Sequence, residues 1–157
     1  MTLDEITAFV HDRIPSTARL GARVELYDGA SLRLAAPLGP NVNHRGTAFG
    51  GSLSALAILS GWLLLHLKLR DAGVAARLVI QRSALDYVAP VDGDFTATAA
   101  LPGAGAWDRF LRTLTRHRSA RVAVPSTLSG PTGVGGRHEG TFVATRAEAG
   151  GPGGAAP

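Results

Sequence analysis

Polar side chains gather between Asn41 and Ser52, in the segment NVNHRGTAFGGS. Immediately after it the chain turns apolar. From Phe49 to Leu67 there is no formally charged residue, and only His66 can gain a positive charge. A helix beginning near Phe49–Ser52 would present unpaired backbone N–H groups and a partial positive charge at its start. Gly50 and Gly51 would let another molecule come close to those groups. That arrangement suits a developing oxyanion. The same two glycines would also allow tight packing of a helix on a sheet, with Ser52 as an ordinary cap, and the residues alone leave both readings open.

The elements that must position this segment follow from periodicity. Residues 2–14 predict an amphipathic helix, with Thr2 as N-cap, Asp4 and Glu5 in the first turn, and Ile6, Phe9, Val10 and Ile14 on one face. Pro15 ends it. Val24 and Leu26, then Leu32 and Leu34, alternate with polar residues around Asp28-Gly29, which predicts a hairpin. The run Phe49–Leu67 is long enough to cross a bilayer. Its Gly50, Gly51, Ser52, Ser54, Ser60, Gly61 and His66, and the strands on either side, favour a helix buried by a curved sheet instead. RLVIQRSALDYVAPV and DFTATAALP predict two strands, WDRFLRTLTRH a short helix, and SARVAVPSTLSG and RHEGTFVATR two last strands joined by PTGVGG. The order gives an α+β class with a mainly antiparallel sheet around one long helix.

Composition bounds the function. With 157 residues, 45% of them hydrophobic and 18% charged, one domain with a real core is expected over residues 1–147. Residues 148–157, rich in Gly, Pro and Ala, are expected to form a disordered tail. The absence of cysteine removes disulfides, thiolate metal sites and a cysteine nucleophile. No apolar signal segment follows the N-terminus, so a cytoplasmic protein is expected. His11, His44, His66, His117 and His138 lack paired ligand spacing, so no metal and no cofactor are expected. The net charge is +4, and all but one of the 16 basic residues are arginine. They are spread out and aromatics are only 6%, which disfavours nucleic acid as a partner and leaves small phosphorylated ligands.

NHRGTAFGGSLSALAILSGW resembles the hotdog-fold thioesterases of the YiiD C-terminal-domain type. Asp86-Tyr87-x-x-Pro90-Val91, Gly93-Asp94, Trp107 near Phe110, and Gly140-Thr141-Phe142-Val143 extend the resemblance over about Ile6 to Arg146. It implies a long antiparallel sheet wrapped round one central helix, and pairing into a homodimer or a dimer of dimers. It further implies an acyl thioester of coenzyme A (acyl-CoA) or acyl carrier protein (acyl-ACP) as substrate, held between subunits with its carbonyl at the start of the central helix.

Thioester hydrolysis needs a polarised carbonyl and an activated water or a nucleophile. Relatives resembling this chain often use an acid on or just before the central helix, but Phe49–Leu67 has no Asp or Glu. The expected catalytic set is therefore Gly51 for the carbonyl, with Asn43, His44 and Asp86 as candidates for handling water, Asp86 arriving across a subunit interface. Thr47, Phe49, Gly50, Ser52 and Tyr87 are the expected substrate-binding residues. Each has a plainer alternative: Asn43 as a turn former, His44 as a loop residue bonding backbone, Asp86 as a solvated strand residue, Thr47 and Ser52 as caps. The missing helix carboxylate also leaves open a non-catalytic acyl-thioester binding module. A dehydratase fits poorly, since it would pair His44 with an acid.

Overall fold

A computed structural model describes residues 1–147; the expected tail at 148–157 lies outside the described residues. The N-terminal helix α1 (Leu3–Arg13) starts as expected, with a capping box. The Glu5 N–H donates to Thr2 Oγ1 at 3.2 Å, and the Thr2 N–H donates to the Glu5 carboxylate at 2.7 Å. A short helix that periodicity does not reveal, α2 (Ser16–Leu20), follows and ends on left-handed Gly21.

Strands β1 (Arg23–Tyr27) and β2 (Ser31–Ala36) form the expected hairpin. The Asp28 carboxylate closes it by accepting from the Ala30 and Ser31 N–H groups at 2.9 and 2.7 Å. The central helix α3 spans Gly50–Asp71, β3 spans Ala76–Tyr87, and β4 spans Phe95–Ala100. Helix α4 (Ala104–His117) is longer than its apolar core of Trp107, Phe110 and Leu114 suggests. The hairpin of β5 (Ser119–Gly130) and β6 (Gly133–Arg146) is joined by only Pro131 and Thr132. The glycine-rich PTGVGG is thus mostly strand rather than loop. Its glycines admit a neighbouring segment: a Cβ on Gly135 would strike the Val91 side chain.

The six strands form one antiparallel sheet in the order β1-β2-β4-β5-β6-β3. Helix α3 lies against strands β2 to β6, with Leu56, Leu63, Leu64, Leu65 and Leu67 fully buried. Its length and composition would suffice to cross a bilayer, yet here those leucines fill the concavity of the sheet. Burying each contributes roughly 1.5–3 kcal/mol. Gly61 is required by this fit, because a Cβ there would sit 2.9 Å from the Phe142 ring. Helix α1 docks on α3 through a stack in which His66 lies between Phe9 and Trp62, with ring centroids 5.1 and 5.0 Å apart. Burial, with Arg70 and Arg13 nearby, holds the His66 imidazole below its ordinary pKa.

Candidate active site

The loop before α3 is organised by Asn43. Its carboxamide oxygen accepts from the Arg45 and Thr47 N–H groups at 2.8 and 3.2 Å. Its amide nitrogen donates to Thr47 Oγ1 at 2.9 Å and to the Ala48 carbonyl at 3.4 Å. Both halves of the carboxamide are thereby engaged in holding the turn. Gly46, at φ +80°, completes that turn. The loop is anchored on two sides: the Phe49 N–H donates to the Asn41 carbonyl and the Ala48 N–H to the Val91 carbonyl, both at 2.7 Å. Asn41 is itself fixed, donating to the Leu20 and Pro37 carbonyls at 2.8 and 2.7 Å.

Phe49 is the N-cap of α3 and supplies no side-chain acceptor. Gly50, Gly51 and Ser52 therefore form a first turn without the capping partner that usually satisfies such N–H groups. Ser52 is buried inside this turn and is not the cap. Phe49 is exposed, and its ring lies over Gly51, where a Cβ would come within 2.9 Å of Cζ. Tyr87 reaches across from β3, donating to the Gly50 carbonyl at 2.8 Å, and its hydroxyl would be 3.1 Å from a Cβ on Gly50. Both glycines are thus needed for aromatic side chains to cover the helix start. His44 and Thr47 belong to the same loop, His44 exposed and Thr47 half-buried.

Asp86 does not join them. Leu85 packs toward the core and Tyr87 toward Gly50, so strand alternation turns Asp86 to the opposite face of the sheet. There the register sets it against Arg137. Within one chain Asp86 therefore stands apart from the loop and the helix start, and its expected arrival from a second subunit is a separate matter. The cause of its facing is a bulge between Ile80 and Arg82. Leu78 and Ile80 pack inward, and without the extra residue Asp86 would share their parity.

Elsewhere the sheet assembles a polar group that spacing along the chain does not announce. Ser126, His138 and Ser83 come side by side on β5, β6 and β3. Only the lateral order of the strands brings them together. Among the described residues no cluster of His, Asp or Glu is arranged to hold a metal ion.

A curved antiparallel sheet wrapped on one helix, with an anchored polar loop at the helix start, defines a hotdog protein of the thioesterase type. Residues 3–146 match the family model described as "Putative thioesterase (yiiD_Cterm)", and the chain belongs to that family. A protein of unknown function from Chlorobaculum tepidum TLS is similar in structure at 27% identity, with a TM-score of 0.86 over 92% of this chain and 94% of that one. A putative thioesterase from Shewanella oneidensis is 24% identical, with a TM-score of 0.81 over 91% and 96%. A probable thioesterase from Pseudomonas aeruginosa is 21% identical, with a TM-score of 0.82 over 94% and 97%. The last two establish the shared fold.

Proposed function

We propose that the protein hydrolyses acyl thioesters carried on coenzyme A or on an acyl carrier protein. The observation that carries this reading is the start of α3, uncapped by Phe49 and walled by two glycines, in a chain of a thioesterase family. A thioester carbonyl placed there accepts from the N–H groups of Gly50 and Gly51. Its oxygen gains charge as water attacks, and donors fixed in advance stabilise that charge; removing one costs about 10²–10³ in rate. His44 is the base. The water oxygen bonds to the carbonyl carbon, its proton passes to the imidazole, the C–S bond breaks, and the thiol leaves with that proton. Phe49 and Tyr87 offer apolar surface beside the reacting carbon, while Thr47 and Ser52 line the loop and first turn.

The working form is a homodimer or a dimer of dimers. In support, β3 is an edge strand of 12 residues with Val79 exposed along it, an edge suited to pairing with a second copy. Sedimentation as a monomer at micromolar concentration, with thiol release intact, would contradict this.

One observation favours a second reading, a non-catalytic acyl-thioester binding module: Phe49–Leu67 carries no carboxylate, and Asp86 of the same chain faces away from the helix start. A thiol-release assay over acyl-CoA chain lengths separates the two. Release is expected; binding without release would establish the module.

A further inference from the structure

Ser83, His138 and Ser126 form a hydrogen-bonded chain that ends on a backbone carbonyl of α3. The Ala57 carbonyl in the middle of α3 can only accept. Ser126 Oγ donates to it at 3.3 Å, alongside Ser60 Oγ at 2.8 Å. With the Ser126 hydrogen assigned to that carbonyl, Ser126 Oγ, 3.1 Å from His138 Nδ1, is left to accept from it. That assigns the proton to Nδ1 and leaves Nε2 as an acceptor, facing Ser83 Oγ at 2.9 Å. His138 and Ser126 are each only 4% exposed, whereas in the single chain Ser83 is open to solvent, its side chain on the sheet face beside His138 and not along the backbone edge offered to a second copy. The imidazole therefore meets the outside only through the serine. Gly140 keeps room for it, since a Cβ there would lie 3.1 Å from His138 Cε1 and 2.7 Å from the Phe142 ring. Burial holds His138 below its ordinary pKa, which keeps the base neutral.

We infer that Ser83 is an activated hydroxyl nucleophile toward acyl and phosphonyl electrophiles, with His138 as its base and Ser126 as the positioning residue that sets the His138 tautomer. An exposed hydroxyl bonded to a bare imidazole nitrogen, which is oriented in turn by a third group, is the arrangement that activates a serine. With an ester or thioester, Ser83 Oγ bonds to the carbonyl carbon and its proton passes to His138 Nε2. The leaving alkoxide or thiolate takes that proton as the carbon–heteroatom bond breaks. Water then attacks the acyl-serine, gives a proton to Nε2, and releases the acid as Ser83 Oγ recovers the proton. This centre is separate from the helix start. Ser83 lies four residues along β3 from Tyr87, on the order of 13 Å for an extended strand.

The test uses the full chain and a fluorophosphonate probe, with adduct mass and peptide mapping as readouts; it involves no thioester and so stands apart from the proposed hydrolase activity. One phosphonyl group on Ser83 is expected, with fluoride as the leaving group, and none on buried Ser126. Ser83→Ala should abolish the adduct. His138→Gln should slow labelling by at least about a hundredfold, the scale of a lost base. Ser126→Ala should slow it by about tenfold while the protein stays folded by circular dichroism, a change that a purely packing role would not produce. Wild-type protein that gives no adduct at Ser83 overturns the inference. So does labelling that Ser126→Ala leaves at the wild-type rate, a comparison that decides the matter even where His138→Gln fails to fold.

Discussion

The C-terminal end of α3 is capped and charge-matched, whereas its N-terminal end has no cap and is covered only by the side chains of Phe49 and Tyr87. At the C-terminus Lys68 and Arg70 stand in the last turn, where they complement the helix dipole. The Gly73 N–H donates to the Arg70 carbonyl and the Val74 N–H to the Leu69 carbonyl, both at 2.9 Å, with Gly73 left-handed at φ +68°. Tyr27 donates to the Asp71 carboxylate at 2.5 Å, and Lys68 lies 5.8 Å from the centre of the Trp107 ring. At the N-terminus a phenylalanine stands where a serine or aspartate would cap, and two glycines follow. Matched charges and a left-handed glycine stabilise the first end. At the second, glycine lowers helix propensity and the cap is missing, and the two glycines make room for Phe49 and Tyr87. The helix start is therefore the less stabilised of the two ends, which suits the proposed carbonyl site.

The largest effect should come from crowding the uncapped end. Gly51→Val places a branched side chain against the Phe49 ring and above the helix N–H groups. Thiol release should fall at least about a hundredfold, the scale of a lost oxyanion donor. Circular dichroism should be unchanged, and a folded variant with wild-type turnover would move the oxyanion site elsewhere. A comparable loss, at least about a hundredfold, is expected for His44→Ala. Asp86→Asn should stay within about twofold, because Asp86 faces the other side of the sheet. The reverse ranking in a steady-state assay would restore a carboxylate mechanism.

The contrast between these residues follows how far their placement depends on local sequence. Thr2 with Glu5, the Asp28-Gly29 turn and the apolar run of α3 are each settled within a few neighbours, and the sequence reading finds them. The loop and helix start were legible as a place. The individual roles were less so: Asn43 closes its own turn, and Ser52 falls inside the helix because Phe49 occupies the cap. Asp86 depended on a single extra residue near Gln81, which inverts the parity that Leu78 and Ile80 suggest. His138 and its serines needed the lateral order β5-β6-β3, which no local pattern encodes.

The capped end should respond in stability alone. Tyr27→Phe removes the hydrogen bond to Asp71 and should lower stability by about 1 kcal/mol in a denaturant titration, with thiol release unchanged. An equal loss of activity would mean that the two ends are coupled. The smallest effect is on pH dependence. His66 and His138 both titrate below their ordinary pKa through burial. The unfolded chain therefore takes up their protons first as the pH falls through about 6.5. Their contribution is complete above that pH and declines below it. The melting temperature should be lower at pH 5.5 than at pH 7.5, and His138→Gln should reduce that difference.

The central claim is that the uncapped end of α3 polarises a thioester carbonyl. It can be observed directly with an acyl-CoA analogue in which a methylene replaces the thioester sulfur and the carbonyl carbon is isotopically labelled. Difference infrared spectroscopy then reads the carbonyl stretch of the bound molecule. The account predicts a shift to lower frequency on binding, as the N–H groups of Gly50 and Gly51 draw charge onto the oxygen, and loss of that shift in folded Gly51→Val. A bound analogue whose carbonyl frequency matches that in water, or whose shift survives Gly51→Val unchanged, would contradict it.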